Sequence, residues 1–420
     1  MIAEKPGLME AVRDRFAHVE TCPFEGPRIF FENAGGALRL KSVVETSAAY
    51  AGYPDNQGRD NAASAALMAS IERGRADMRL FFNAPDGEVF VGESGTEVLF
   101  RLVRTAALGA EPGGIMLGST LEHPASRSAM ARWASVTGRP HVLVAHDDAT
   151  GTVGLDAYLD HVTADTRVAT VVHTSPVTGM AVDVTAIAQA IRQKAPDCYI
   201  VVDGIQHASH GHVDCAAYGA DGYAVSPYKM FSRHGYGVGW ASGRLSRCAK
   251  DQIVGGPAAN WELGTRDAGA YATFSDVVDY LDWLGSQFST SKDRRGRIEA
   301  AAAAIHAHEA ELTGAFLHGT GNLRGLTEMP GVTIIGGTAV EGREGVVSLV
   351  LEGTEPADLV SFLRGQGIRA HVRRNDHYSG NVLDPLGLDA CVRVSICHYN
   401  TVAEVARFLA ATELAVEQRA

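Results

Sequence analysis

Ile200-Val201-Val202-Asp203-Gly204-Ile205-Gln206 is the stretch that decides the fold. An apolar run ending in an acid reads as a buried parallel strand that delivers a carboxylate to the crevice where α/β sheets bind ligands. That carboxylate is costly to desolvate unless something positive meets it. About 25 residues later a second apolar run, Gly222-Tyr223-Ala224-Val225, leads into Ser226-Pro227-Tyr228-Lys229. A lysine at the end of a neighbouring strand can form Schiff bases, provided its surroundings lower its pKa. Taken by itself, the pair reads more readily as a structural ion pair.

Outward from this pair, residues 30–254 alternate short β-branched runs with helical stretches at the interval of βαβ units. Strands are expected at 88–91, 114–117, 141–144, 168–172, 199–202 and 222–225, with helices at 65–82, 97–108, 126–137 and 185–194. This predicts an α/β fold with a large, mostly parallel sheet covered by helices on both faces. After Thr265 the texture changes to long helices at 270–284 and 297–317, the second rich in alanine. The tail offers strands at 332–335, 345–351 and 392–396 and helices at 355–365 and 401–414. The expected organisation is an N-terminal segment 1–29, a large domain 30–290 and a smaller α+β domain 291–420.

With 420 residues, 46% hydrophobic and 20% charged, the composition is that of a globular chain with a large core. A formal charge of -12 supplies no general basic field, which argues against nucleic acid and anionic membrane as partners. The six cysteines lie far apart without a CxxC pair, so they read as reduced thiols of a cytoplasmic protein. The start of the chain does not read as a signal peptide, and no apolar span is long enough to predict a transmembrane helix. His207, His210 and His212 crowd near Asp203, but their spacing matches no usual ligand pattern, so no metal site is expected.

Ser94-Gly95-Thr96-Glu97 follows the strand at 88–91 and opens a helix, which makes it either an ordinary N-cap or an anion site built from backbone N–H groups. Together with Asp203 and Lys229 it supplies a phosphate cradle, a partner for a protonated ring nitrogen and an amine for an aldehyde. Those are the parts needed to hold pyridoxal 5'-phosphate.

These motifs, with Trp261-Glu262-Leu263-Gly264-Thr265 and Arg393-Val394-Ser395-Ile396-Cys397-His398, make the chain resemble the class V aminotransferase family, in its cysteine-desulfurase-like branch. The resemblance implies a fold-type-I pyridoxal-phosphate enzyme, with Lys229 as Schiff-base lysine and acid/base at Cα. Asp203 would keep the ring nitrogen protonated, Gln206 would bond the ring hydroxyl, and His123 of Leu121-Glu122-His123-Pro124 would stack on the ring. Ser94, Gly95, Thr96 and Ser226 match phosphate ligands. Tyr228 stands where desulfurases usually have histidine. Thr265 matches a residue reaching the phosphate of the neighbouring subunit, which implies a homodimer with sites at the interface. Arg393 would fork onto the substrate carboxylate, Asn33 would line the substrate pocket, and Arg373 would be a second carboxylate contact or a solvated charge.

The departures bear on the reaction. Desulfurases carry their persulfide cysteine on a loop that corresponds to Arg373-Arg374-Asn375-Asp376-His377-Tyr378-Ser379, and Tyr378 sits at the matching place. Cys391 and Cys397 flank Arg393 and read as core residues. Pro176 stands where the family often has asparagine. The expected activity on an α-amino acid is therefore β-elimination of the C–S lyase type, then transamination or epimerisation, with a desulfurase relay last. A catalytically silent cofactor-binding regulator is the alternative of another class, and the intact pair Lys229 and Asp203 argues against it.

Overall fold

Successive residues of a strand face opposite ways, which explains why the apolar runs are unbroken: Val168 and Val201 enter one core, and Ala169 and Val202 the other. The computed structural model describes residues 2–54 and 56–418. Seven strands form the main sheet: β1 (Glu88–Gly92), β2 (Ile115–Ser119), β3 (His141–Val144), β4 (Thr166–Val172), β5 (Tyr199–Asp203), β6 (Gly222–Val225) and β7 (Gly237–Ala241). Their spatial order is β1-β7-β6-β5-β4-β2-β3. All share one direction except β7, which is antiparallel to both β1 and β6.

Helices α1 (Ala62–Phe82), α2 (Gly95–Gly109), α3 (Pro124–Thr137) and α4 (Val184–Lys194) cover the sheet, followed by α5 (Ala268–Ser286) and α6 (Arg294–His318). Leu99 and Leu102 of α2 pack with Met130 of α3 on one face. Phe81 of α1, Ile187 of α4 and Phe274 of α5 pack on the other.

Strand β7 is absent from the expectation because Gly237 and Gly239 dilute its β signal. Both glycines are required by packing. A Cβ on Gly237 would fall 2.3 Å from the Ser94 carbonyl carbon, and one on Gly239 would fall 2.7 Å from Phe90 Cζ. The bare strand lets the start of α2 settle against the sheet.

A second sheet contains β8 (Val332–Ile335), β9 (Val346–Leu351), β10 (His371–Arg374) and β11 (Ala390–Ser395), ordered β8-β9-β11-β10 and wholly antiparallel. Helix α7 (Pro356–Gly365) packs on it, and α8 (Val402–Glu417), which packs against α6 and α7, opens with a capping box between Thr401 and Glu404. Arg373 and Arg374, expected in a loop, lie instead on β10, where Arg373 is in register with Cys391. Their polar side chains hid an edge strand that needs only one buried face.

Helix α6 spans both cores. Ile298, Ala301 and Ile305 belong to the first, and Leu312, Phe316 and Leu317 to the second, which also takes Ile29 and Phe31. Among the described residues no helix is long and apolar enough to cross a membrane.

Candidate functional site

Strand pairing brings the two decisive residues together. β5 ends at Asp203, opposite Ala224 of β6, and the single turn Pro227–Lys229 then carries the lysine over the strand ends. Lys229 is buried, and its Nζ donates a 3.0 Å hydrogen bond to Gln206 Oε1. Burial, with repulsion from Arg393, pulls its amine down to about 7, against the opposing pull of Asp203. The Asp203 carboxylate accepts from the Ile205 N–H at 3.1 Å and from Ser126 Oγ at 3.2 Å, while burial pushes its pKa up. A cationic N–H placed against this carboxylate would offset that desolvation.

His123 caps α3, its Nδ1 accepting from the Ala125 N–H at 3.2 Å, with Pro124 opening the helix. Burial first, then the Lys229 charge, pulls its imidazole down to about 3, so the ring is neutral at physiological pH. Tyr378 lies tilted against it at 5.8 Å between ring centroids.

At the start of α2, Ser94 Oγ accepts from the Glu97 N–H at 3.2 Å. This leaves the N–H groups of Gly95 and Thr96 in the first turn, where a helix has no internal acceptor for them. A Cβ on Gly95 would come within 2.3 Å of Ser226 Oγ and 2.6 Å of Ile205 Cδ1. Glycine here draws the helix terminus onto Ser226, directly above the Asp203 turn. Tyr228 stacks on His234 with centroids 4.3 Å apart. Thr265 is exposed on the loop before α5, next to Arg266, which pairs with Glu93.

Arg393 rises from β11 and is only 3% exposed. Its Nη1 donates to the Pro176 carbonyl at 2.9 Å, and its Nε has no partner. Burial, then Arg373, pulls its guanidinium down to about 9. Arg373 donates to the Tyr378 carbonyl at 3.4 Å, and its Nε too is buried without a partner. Two partly unsatisfied guanidiniums beside a low-pKa lysine form a receptor for an anion. Asn33 stands next to this pocket, but its side chain is already engaged: Nδ2 donates to the Ser395 carbonyl at 2.8 Å, and Oδ1 accepts from Tyr399.

Several contributors were not legible in the sequence. Ser126 on Asp203 and the Pro176 carbonyl on Arg393 come from other parts of the chain. The three histidines grouped near Asp203 turn to different partners: His207 to Glu344 at 2.9 Å, His210 to Glu309 at 2.7 Å, and His212 to Arg295 at 2.5 Å. Among the described residues, His210, Glu309 and Cys397 come close enough to share an ion. Both nitrogens of His210 already hold hydrogen bonds, to Glu309 and to Gln206.

The donor set fits pyridoxal 5'-phosphate. A depressed amine suits its aldehyde, a buried carboxylate its ring nitrogen, a neutral imidazole its ring face, and the helix terminus closed by Gly95 and Ser226 its phosphate.

Comparison with known proteins agrees. The model of the family described as aminotransferase class-V matches residues 29–295 and 297–408. A probable cysteine desulfurase of Xylella fastidiosa (strain 9a5c) is 26% identical over 420 residues, covering 96% of this chain and 94% of that protein. One from Vibrio cholerae is 25% identical, covering 97% and 98%. Among solved structures, an apo cysteine desulfurase from Thermococcus onnurineus NA1 superposes with a TM-score of 0.78 at 22% identity, over 93% of this chain and 95% of that one. The cysteine desulfurase CsdA (S-sulfonic acid) from Escherichia coli gives 0.77 at 21%, over 98% of both. The chain thus belongs to the class-V aminotransferase family, and is a fold-type-I enzyme dependent on pyridoxal 5'-phosphate.

Proposed function

We propose that this enzyme binds the α-carboxylate of an amino acid through Arg393, removes the Cα proton with Lys229 and expels a sulfur substituent from Cβ. Lys229, Asp203, Gln206, His123 and the phosphate turn of Ser94, Gly95, Thr96 and Ser226 would hold the cofactor. When bound, pyridoxal phosphate supplies an electron-accepting ring that acidifies the Cα–H bond. An amine that titrates near 7 suits Lys229 to take that proton at neutral pH. The Cβ–S bond then breaks with its electron pair leaving on sulfur, and the three-carbon remainder takes up water to yield pyruvate and ammonia. Arg373 and Tyr378 would border the side-chain end of the substrate, Asn33 would brace the wall behind it, and Tyr228 would adjoin the phosphate.

The observation that carries elimination over a sulfur relay is the state of the thiols. A relay needs an exposed thiolate near the substrate. Cys391 and Cys397 are buried, with pKa values pushed up to about 11 and well above the ordinary range. The place facing His123 is held by Tyr378, which is 44% exposed. The names of the relatives support a second reading, cysteine desulfuration, in which alanine is released and sulfur passes to a protein thiol. Incubation with cysteine, cystine and cysteine conjugates tests the two: pyruvate with ammonia supports elimination, and alanine with a protein-bound persulfide refutes it.

A homodimer is part of the same proposal. Thr265 would reach a partner's phosphate, and the exposed Ile253 and Val254 on the preceding stretch support a subunit contact there. Six free cysteines support a cytoplasmic, reducing setting.

A further inference from the structure

A directional chain of hydrogen bonds leads away from Lys229 into the interior. Lys229 Nζ donates to Gln206 Oε1 at 3.0 Å, Gln206 Nε2 meets His210 Nε2 at 3.0 Å, and His210 Nδ1 meets Glu309 Oε2 at 2.7 Å. All four side chains are buried. An amide that accepts on oxygen from Lys229 offers only N–H to the histidine, so His210 Nε2 must be the bare acceptor. The ring hydrogen then sits on Nδ1 and points at Glu309.

From this geometry we infer that His210 and Glu309 are positioning residues, which hold the Gln206 amide with its oxygen toward Lys229 and thereby favour the protonated form of the amine. The inference rests on Lys229 and Gln206 forming one site, and it holds whichever bond breaks after Cα–H. Glu309 acts on the tautomer: its carboxylate draws the hydrogen to Nδ1 and frees Nε2. A proton added at Nε2 would oblige the amide to turn over, presenting N–H groups to Lys229 instead.

The titratable groups facing the His210 ring are Glu309 on α6, Glu344 ahead of β9, Cys397 and His398 beyond β11, and Lys229. Burial opposes charging of the ring and the two carboxylates favour it, so its pKa is raised, and the bare Nε2 described here belongs to the neutral ring on the alkaline side of that titration. Gly345 closes the remaining side, where a Cβ would fall 2.8 Å from His210 Cε1. The motif is a glutamine and a histidine four positions apart on the turn after β5, joined to a glutamate on α6 that no local pattern connects to them.

The test titrates Lys229 in the full chain freed of cofactor, through the pH dependence of its acylation by acetic anhydride, read by mass spectrometry of the Lys229 peptide. Two variants separate positioning from packing. His210→Asn keeps an amide for Glu309 but does not reach Gln206, whereas His210→Gln places an acceptor oxygen near the position of Nε2. The Asn variant is expected to lower the Lys229 midpoint by about one pH unit, a tenfold change, while the Gln variant stays within about 0.3 of the parent. An unmoved Asn variant, or a Gln variant displaced as far as Asn, overturns the inference. A measurement without substitution stands beside it: nitrogen NMR of the His210 ring at alkaline pH is expected to show the Nδ1–H tautomer, and an Nε2–H tautomer overturns the inference as well. Cofactor uptake and product analysis, measured separately, report on the functional reading.

Discussion

Replacing Arg393 by methionine should stabilise the folded chain while disabling its carboxylate grip. Burial pulls this guanidinium down to about 9, more than three pH units below the ordinary arginine range. At about 1.4 kcal/mol per pH unit, holding the charge in the folded chain costs about 5 kcal/mol. The sign follows from linkage. Below pH 9 the group is charged in both folded and unfolded chains, so the whole cost is present at neutral pH. It fades only as pH rises above about 9 toward the ordinary arginine range, where the folded chain sheds the proton first. Methionine keeps the apolar stem but leaves the Pro176 carbonyl unpaired, a loss of about 1–3 kcal/mol. The net expectation is a gain of about 2–4 kcal/mol, seen as a Tm raised by roughly 3 °C in cofactor-free protein. The same variant should bind amino acids about 100-fold more weakly, with little change for the corresponding amines, when the cofactor spectrum is titrated with each. A Tm lowered by several degrees would refute the reasoning, because it would mean that Arg393 is satisfied by the protein and is not waiting for an anion.

Three further expectations concern the same site. Cofactor capture by the free protein should quicken about tenfold between pH 6 and 8 and then level off, because the reactive amine form of Lys229 grows as pH rises through about 7; a rise continuing past pH 9 would assign Lys229 an ordinary pKa. Asp203→Asn should still bind the cofactor yet exchange the substrate Cα proton slower by several orders of magnitude, measured by deuterium incorporation, and near-normal exchange would place the electron-sink role elsewhere. The double variant Cys391→Ser, Cys397→Ser should retain elimination activity apart from a modest packing loss, checked by pyruvate release alongside thermal unfolding.

Strand-terminal chemistry is local, which is why Asp203 and Lys229 were legible from their own segments. Each ends or shortly follows a run of β-branched and small apolar residues, and such runs point their termini to one edge of a parallel sheet. The same locality covers the helix start at Ser94, whereas the cap that His123 provides emerged only from the structure. It fails for β7, whose glycines serve the packing of α2, and for β10, whose arginines read as loop.

By itself, then, the sequence determined the kind of sheet, the residues at its edge and the class of cofactor they suit, because those depend on patterns within a few residues of one another. Only the tertiary structure decided the charge states. The low pKa of Lys229 arises from burial and from Arg393 on another sheet, the unpaired guanidinium of Arg393 from what packs around β11, and the orientation of Gln206 from a glutamate on α6. Electrostatic energies depend on distances in space and on exclusion of water, and neither quantity is set by spacing along the chain.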